Sequence, residues 1–493
     1  MKKIMFILIL SILFLNFTII SVAAESYNYS PLGEVIYSAE AVSVAHIVDS
    51  SNLKDELSQD VSISFGALVD VFAHNDRIYL VDKTNNQIHI LNDKYEYVNS
   101  FGSDTLLNPN GVFVTDDYIY VADTGNYRIV LFDHDNNLYS EILAPSDPTF
   151  KQSPDDTNGY DFKPLKLTVN RTGRIYVIAD QVFEGILDFN PDGTFSRYVG
   201  ANSITLSLWD AFWLKLTSEE QKAAQGYRLA TTFKNLMVDN EGYLYTVSDI
   251  TEGEKVIKKL NYKGIDVLSR NGYIPQIGDL VIVPQQVSLP DGPSIFSDID
   301  INDFGNYMVL DSTRGRVFTY DFEGNLLYIF GELGNLTDSS NNLRDKFIQP
   351  TAIKYFNDKI LVVDSMNKNL IIFEYTEFGR LVNQATQYYY DGDYEQAKDT
   401  WEEVLVLNTN YYLAYKGIAK TELREGNYEK AMEYAKLGFD DDTYSSAYQP
   451  YRYEKIAAIF PYLLVVIFVV LIYGFAKNAK NAIRKAKEED KLG

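Results

Sequence analysis

Short segments in which apolar and polar residues alternate recur along most of the chain, and they predict β-strands. Residues 118–132, YIYVADTGNYRIVLF, contain two such segments joined by Asp-Thr-Gly-Asn. Alternation buries one face of a strand, and Asp, Gly and Asn suit the tight turn between strands. The pattern occurs six times, and the second strand of each copy is followed by or ends in an aspartate: Asp82, Asp123, Asp180, Asp249, Asp311 and Asp364.

Each copy has another apolar strand before this pair and a third strand after it, and most copies show a fourth. Four antiparallel strands repeated six times predict a mainly β fold, a six-bladed β-propeller, over residues 65–380. The last copy lacks an outer strand, whereas residues 34–48 are strand-like and belong to no copy. We therefore expect the N-terminal segment, residues 25–64, to supply the strand that closes the ring.

The segment Asp-Thr-Gly-Asn-Tyr-Arg-Ile at residues 123–129 resembles the hallmark of NHL-repeat propellers. The first, fifth and sixth copies keep parts of it, while the third and fourth keep little beyond their aspartates. The resemblance covers about residues 65–375 and implies the propeller fold. It does not imply one function, because propellers of this type include both binding proteins and enzymes.

Three insertions, residues 144–162, 201–231 and 271–293, lie between a fourth strand and the next first strand. In an up-and-down blade this connection lies at the same end of the sheet as the aspartate turns, so all three insertions share one face of the propeller. Long loops on one face of a rigid scaffold are a common place for binding. The middle insertion contains Trp209 and Trp213, which either anchor the insertion or form an aromatic platform for a sugar or peptide.

Polar residues stand at the start of the first strands, where the ring is narrowest. They either bind a ligand at the channel mouth or line a water-filled channel. The six turn aspartates are expected to hold their own turns by accepting backbone N–H groups, and Ca²⁺ binding by a ring of carboxylates is the alternative. We otherwise expect no cofactor and no metal. The channel-mouth candidates are Asp70, Asn110, Lys166, Asn235, Asp298 and Thr351.

The residues expected at the channel mouth and the motifs of the sequence argue against an enzyme. None of the four histidines falls at the start of a first strand, so a histidine base or metal cluster is not expected at the channel mouth. No nucleophile elbow or phosphate-binding glycine loop is present. The alternative is a propeller hydrolase or lyase that acts on an extracellular small molecule with carboxylates alone, around Asp70 and Asp298.

From residue 381 the apolar period changes from two to about 3.6, which predicts helices. The segments GDYEQA and GNYEKA begin at Gly392 and Gly426, 34 residues apart, and this spacing resembles the tetratricopeptide repeat. The resemblance implies two helical hairpins over residues 381–440. The hairpins either bind a partner's peptide or serve as a spacer. Residues 441–455 are expected to form a juxtamembrane linker with tyrosines at the membrane surface.

The two ends of the chain predict secretion and membrane anchoring. Residues 1–24 resemble a signal peptide, with an uncleaved anchor as the alternative. Residues 456–476 are free of charge and long enough to span a bilayer. The tail, residues 477–493, carries six basic and three acidic residues and is expected to be cytoplasmic. The net charge of −24 then leaves −24 − 3 − 2 = −29 outside, which disfavours nucleic acid as a partner.

Together these features predict a single-pass plasma-membrane protein with an extracellular propeller and a cytoplasmic tail. Its predicted function is recognition or scaffolding through the loop-rich face. The bound molecule is either a ligand such as a carbohydrate or peptide, or a protein partner in a membrane complex such as a transporter. The absence of cysteine excludes disulfides and thiolate metal sites.

Overall fold

The computed structural model describes residues 26–151, 159–200, 232–248, 255–280, 294–334 and 346–490. The signal-like segment and Asp249 lie outside the described residues, as do parts of the first and third insertions. The whole middle insertion, with Trp209 and Trp213, also lies outside them. The chain divides into two compact units, residues 1–380 and 381–493.

The first unit is a six-bladed β-propeller, as predicted. Each blade is an antiparallel sheet in which consecutive strands lie side by side. Before the first blade come β1 (Tyr27–Tyr29), β2 (Val35–Tyr37) and β3 (Val42–Asp49). Blade one contains β4 (Leu68–His74), β5 (Arg77–Asp82), β6 (Gln87–Asn92) and β7 (Tyr97–Phe101). Blade two contains β8 (Gly111–Val114), β9 (Ile119–Asp123), β10 (Arg128–Phe132) and β11 (Leu138–Ile142).

Blade three contains β12 (Pro164–Val169), β13 (Ile175–Ala179), β14 (Ile186–Phe189) and β15 (Phe195–Val199). Blade four contains β16 (Phe233–Val238), β17 (Leu244–Ser248) and β18 (Ile257–Leu260). An isolated β-bridge between Leu260 and Asp266 takes the place of a fourth strand in blade four. Blade five contains β19 (Phe296–Ile301), β20 (Tyr307–Asp311), β21 (Arg316–Tyr320) and β22 (Leu326–Phe330). Blade six contains β23 (Pro350–Phe356), β24 (Lys359–Asp364) and β25 (Asn369–Tyr375).

The outer strand of blade six comes from the N-terminal segment. β3 pairs with β25 in antiparallel register, and Val48 lies opposite Leu370. Both side chains are buried in a cluster that joins blade six to blade one. The strand begins at Val42, later than the strand-like stretch at residues 34–48, because Val35–Tyr37 pair instead with β1. The ring is thus closed by hydrogen bonds between the two ends of the propeller sequence, and the outer edge of β25 is covered.

The hairpin of β1 and β2 covers the outer strand of blade five. Tyr27 and Tyr29 belong to the apolar cluster of blades four and five, and the Asn28 side chain donates to the Leu327 carbonyl over 3.0 Å. All five residues of β22 are buried. A three-residue strand cannot bury enough area to be stable alone, so β1 depends on this contact.

The second unit is helical, with α1 (Glu377–Asp391), α2 (Tyr394–Leu407), α3 (Tyr412–Arg424), α4 (Tyr428–Leu437) and α5 (Asp441–Glu489). Gly392 and Gly426 stand at equivalent turns with positive φ, where glycine carries no steric penalty. Trp401 fills the space between α2 and α3, and a Cβ at Gly417 would collide with its ring nitrogen.

The expected linker at residues 441–455 is instead the beginning of α5. Ala447 is fully buried against Ala431 and Met432, and Tyr444 and Tyr451 pack against the same cluster. The expectation that the tyrosines of this segment lie at the membrane surface stays a prediction. The apolar ring surface of Tyr444 and Tyr451, combined with the small Ala447 between them, lets the helix dock on α4. Of the described helices, α5 alone is long and apolar enough to span a membrane.

Candidate functional site

The central channel is lined by the first strand of each blade, and a shared irregularity sets which side chains point into it. In five blades the first strand shifts register by one residue near its start, for example between Leu68 and Asp70 in β4. A bulge of this kind turns the following side chain to the other face. The same shift occurs in β12, β16, β19 and β23.

Strand register therefore defines one ring of equivalent positions on the first strands. Each of these residues pairs with the residue just before the last paired residue of the second strand, as Asp70 pairs with Val81, the residue before Asp82. Four of the channel-mouth candidates belong to this ring. Asn110 and Thr351 do not, because each stands one residue earlier, and Gly111 and Ala352 take their places. The ring is Asp70, Gly111, Lys166, Asn235, Asp298 and Ala352.

The two displaced residues stabilise neighbouring loops and strands. The Asn110 side chain accepts from Lys83 Nζ over 3.1 Å and donates to Thr124 Oγ1 over 2.8 Å. Thr351 Oγ1 donates to the Leu68 carbonyl of the next blade over 3.0 Å. Neither is one of the ring positions, and ligand binding by these two residues stays a prediction.

A second ring lies two residues further along each first strand and was not predicted. It contains an ion pair between Lys354 Nζ and Asp300 Oδ1 at 2.7 Å, and Lys354 also lies 4.5 Å from the Phe72 ring centroid. The signal was available in the sequence, because residues i and i+2 of a strand share a face and Asp300 follows Asp298 by two. The ring is Phe72, Phe113, Thr168, Met237, Asp300 and Lys354.

Several ring side chains bind the backbone of the next blade. Asp70 Oδ2 accepts the Val112 N–H over 2.9 Å, and Asp298 Oδ2 accepts the Ile353 N–H over 2.6 Å. One layer down, Asp300 Oδ2 accepts the Tyr355 N–H over 2.7 Å. Each first strand is the inner edge of its sheet, so half of its N–H groups lack a strand partner. Buried N–H groups left unpaired destabilise a fold, and these carboxylates satisfy them.

The same groups also pair with one another across the first ring. Lys166 Nζ lies 2.5 Å from Asp70 Oδ1, and the Asn235 amide donates to Asp298 Oδ1. Burial raises the pKa of Asp298 to about 7; the positive charge of Lys166 opposes this rise and the negative charge of Asp70 adds to it. Burial likewise raises the pKa of Asp300, against the effect of Lys354. The channel is therefore a set of paired charges built into the blade contacts.

Four of the turn aspartates cap the loop before the first strand of their own blade. Asp82 accepts the Gly66 N–H over 2.6 Å, and Asp123 accepts the Leu107 N–H over 2.7 Å. Asp364 accepts the Ile348 N–H over 2.6 Å. Asp311 accepts the Thr313 N–H over 3.0 Å and, more weakly, that of Ile295 over 3.4 Å.

Asp180 does not occupy the equivalent position, which corrects its assignment. Blade three pairs Ala179, and blade four Ser248, where the other blades have an aspartate, because these second strands reach the turn one residue earlier. No carboxylate hydrogen bond is recorded for Asp180 within the described residues. Asp249, the corresponding residue of blade four, lies outside them. Within the described residues no group of three metal-ligating side chains is found.

The loop-rich face also exposes apolar side chains next to the turns that contain the turn aspartates. Leu107 is 42% exposed, Tyr127 46% and Met366 56%. Leu107 and Tyr127 flank the turn of Asp123 in blade two, and Met366 follows Asp364 in blade six. These residues face solvent although the strands beside them are fully buried, and the sequence analysis did not single them out.

Comparisons with known proteins assign no family to the chain. No protein-family model matches the chain, and no curated protein sequence matches it. Among solved structures it is similar to a catalytically inactive virginiamycin B lyase from Staphylococcus aureus, at 11% identity and TM-score 0.38, over 62% of this chain and 94% of that one. It is similar to an auxiliary nutrient binding protein from Bacteroides thetaiotaomicron, at 12% identity and TM-score 0.39, over 64% and 70%.

A structural genomics protein of unknown function from the same Bacteroides species is also similar, at 12% identity and TM-score 0.43, over 70% of this chain and 80% of that one. The strand topology of the chain itself defines its class as the six-bladed β-propeller, and these similarities carry no argument about activity.

Proposed function

We propose that this protein is a membrane-anchored recognition protein whose propeller binds a protein partner of the same membrane, such as a transporter, through its loop-rich face. The observation that carries the proposal is the exposure of Leu107, Tyr127 and Met366 on that face. Loops on one face of a rigid scaffold are a common place for binding, and these side chains offer apolar surface there.

The side chains of the first channel ring are buried and paired, which supports binding on the loop-rich face rather than chemistry inside the channel. Asp70, Lys166 and Asp298 are largely buried, and each already has a partner within the propeller. A ligand that entered the first ring would have to displace these bonds and leave buried N–H groups unsatisfied. Such a loss costs about 1–3 kcal/mol for each group.

Anchoring in the membrane would follow from α5, whose apolar segment is exposed along its length. Tyr451 packs on the helical unit, and Ile456, at the start of the apolar run, lies only five positions further along α5. At 1.5 Å per residue this is about 8 Å, so the helical unit would be held close to the bilayer. We propose a tetratricopeptide-like spacer or peptide-binding role for it, an NHL-type origin for the propeller, and secretion through residues 1–24.

A double variant, Leu107→Asp with Met366→Asp, tests the proposal. Both side chains are exposed, so the fold should be kept while a partner is lost. The matched control is Leu138→Asp, which is also exposed but lies at the opposite end of blade two. Co-purification of the detergent-solubilised protein with its membrane partner is the measurement. A partner that survives the double variant would contradict the proposed surface.

An enzyme is a second candidate because Asp298 is buried beside Lys166 and Asp70, and burial raises its pKa to about 7. A carboxylate with this pKa suits a general acid or base at neutral pH. The candidate activity is hydrolysis or elimination on a small molecule that reaches the channel from the loop-rich face. Asp298→Asn should abolish such an activity while Asp104→Asn, an exposed change, should not; equal turnover by both variants would exclude Asp298 from it.

The other predictions for the loop-rich face stay proposals. Trp209 and Trp213 would offer a platform for a carbohydrate or peptide in addition to the protein partner. The turn aspartates and the channel ring are proposed as structural elements that keep this face rigid.

A further inference from the structure

The face opposite the loop-rich face has a cavity of about 660 Å³ between blades three and four. The turn from β12 to β13 forms one wall and the turn from β16 to β17 forms the other. Its volume is in the usual range for a small-ligand site. This cavity is distinct from the channel and from the surface proposed above. The lining residues that matter for the argument are Arg171, Arg174, Arg197, Ser196, Asn240 and Tyr262.

Two of the three arginines are fixed by one buried carboxylate. Asp188 is fully buried, and it accepts from Arg174 Nε over 2.9 Å and from Arg197 Nε over 3.1 Å. Arg197 also donates to the Tyr262 carbonyl of blade four over 2.7 Å. Both guanidinium groups are thus held by short bonds to the scaffold, and one carboxylate cannot neutralise both of them.

The third arginine, Arg171, is not held by Asp188. Arg171 is exposed, and no hydrogen bond or ion pair of its guanidinium is recorded within the described residues. The Arg197 Nη1 atom likewise has no recorded partner among them. Donors of this kind bind carboxylates in a paired, planar geometry.

The charged residues that line the cavity, taken with their ion-pair partners, leave a positive surplus in an otherwise acidic protein. Four cations stand against three carboxylates, so the local sum is 4 − 3 = +1, whereas the whole chain carries −24. The cations are Arg171, Arg174, Arg197 and Lys259, and the carboxylates are Asp188, Asp239 and Glu241.

The remaining walls are polar and aromatic rather than apolar. Thr172, Ser196 and Asn240 bring hydroxyl and amide groups, and the ring of Tyr262 is 70% exposed. Gly242, with φ of +89°, lines the cavity, and a Cβ there would meet no atom within 4 Å, so the space beside it is open. Neutral hydrogen-bonding groups beside an aromatic ring suit a sugar, and the arginines add recognition of a carboxylate.

We propose that this cavity binds an acidic saccharide, a sugar unit that carries a carboxylate. Arg171 and Arg197 hold the carboxylate, the hydroxyl and amide side chains bind the sugar hydroxyls, and the ring of Tyr262 packs against the sugar. The site would let the protein take up an anionic glycan on one face while its loop-rich face holds a partner.

The full-length protein in detergent, titrated calorimetrically with digalacturonate, tests this proposal. The methyl ester of digalacturonate is the matched neutral probe, and sodium sulfate is the simple anion. We expect digalacturonate to bind at least ten-fold more tightly than either. Arg171→Gln should weaken its binding about ten-fold without a change in unfolding temperature, because Arg171 has no recorded partner within the described part of the fold.

Lys94→Gln is the control, since Lys94 is exposed at the same end of blade one. It should leave the affinity unchanged, and so should the Leu107→Asp, Met366→Asp double variant. The two proposals can therefore fail separately. The saccharide site is overturned if digalacturonate does not bind, if its ester or sulfate binds equally well, or if Arg171→Gln has no effect.

Discussion

Replacing Asp298 by asparagine should change how the stability of the propeller depends on pH. The pKa of Asp298 is about 7 in the folded protein against an ordinary value of 3.8, and burial is the main cause. A raised carboxylate pKa means that the folded state holds the proton more tightly than the unfolded state. Its contribution to the free energy of unfolding is therefore greatest below about pH 4 and is lost as the pH rises to about 7.

The size of this effect follows from the shift of about three pKa units. At about 1.4 kcal/mol for each unit, the loss is on the order of 4 kcal/mol between pH 4 and pH 8. The asparagine side chain of the variant does not titrate, so the stability of the variant relative to the natural protein should rise over this interval. Any constant difference in hydrogen bonding to Ile353 is the same at both ends of the interval and cancels.

Urea unfolding of the full-length protein in detergent, followed by the circular dichroism of the β-sheets, measures this difference at several pH values. Asp104→Asn, an exposed substitution just after blade one, is the control and should run parallel to the natural protein. If Asp298→Asn also runs parallel, Asp298 does not titrate between pH 4 and 8, and the account of its burial beside Lys166 and Asp70 is refuted.

Three further substitutions probe the packing. Val48→Asp should put a charge into the contact between β3 and β25, which should lower the free energy of unfolding by about 3 kcal/mol or cause aggregation. The control is Ala45→Asp, an exposed change on the same strand, which should alter the free energy of unfolding by less than about 0.5 kcal/mol. Gly111→Ala should cost about 1–3 kcal/mol in urea unfolding, since its Cβ would lie 2.7 Å from the Leu165 carbonyl of blade three; an unchanged midpoint would refute this. Gly417→Ala should lower the melting temperature of the helical unit by pushing on Trp401, and unchanged melting would show that the helices adjust.

The fold could be predicted from the sequence because its determinants are local and repeated. Alternating strands and the turn aspartates give the number of blades, and the missing outer strand of the last copy points to the strand-like N-terminal stretch. The hairpin of β1 and β2 could not be predicted, since three-residue strands carry no clear pattern. It is stabilised by contacts with Asp279 in the third insertion and Leu327 in blade five, some 250–300 residues away in sequence.

The candidate site was only partly predictable, because strand register depends on bulges that composition does not reveal. The bulge in β23 places Ala352 rather than Thr351 in the channel ring. In blade two, which has no such bulge, β8 begins at Gly111, and Asn110 precedes it. The same one-residue difference separates Asp180 from the turn position that Asp82 and Asp123 occupy. The cavity of Arg171 and Arg197 joins loops of two blades, so only the three-dimensional structure brings its residues together.

The central claim is that the loop-rich face binds a membrane partner. The most direct measurement is the amount of partner that co-purifies with the detergent-solubilised protein, compared between the Leu107→Asp, Met366→Asp double variant and the Leu138→Asp control. The account predicts a stoichiometric membrane protein with the natural chain and the control, and its loss from the double variant. Equal recovery of a partner with all three proteins, or recovery of none with the natural chain, would contradict it.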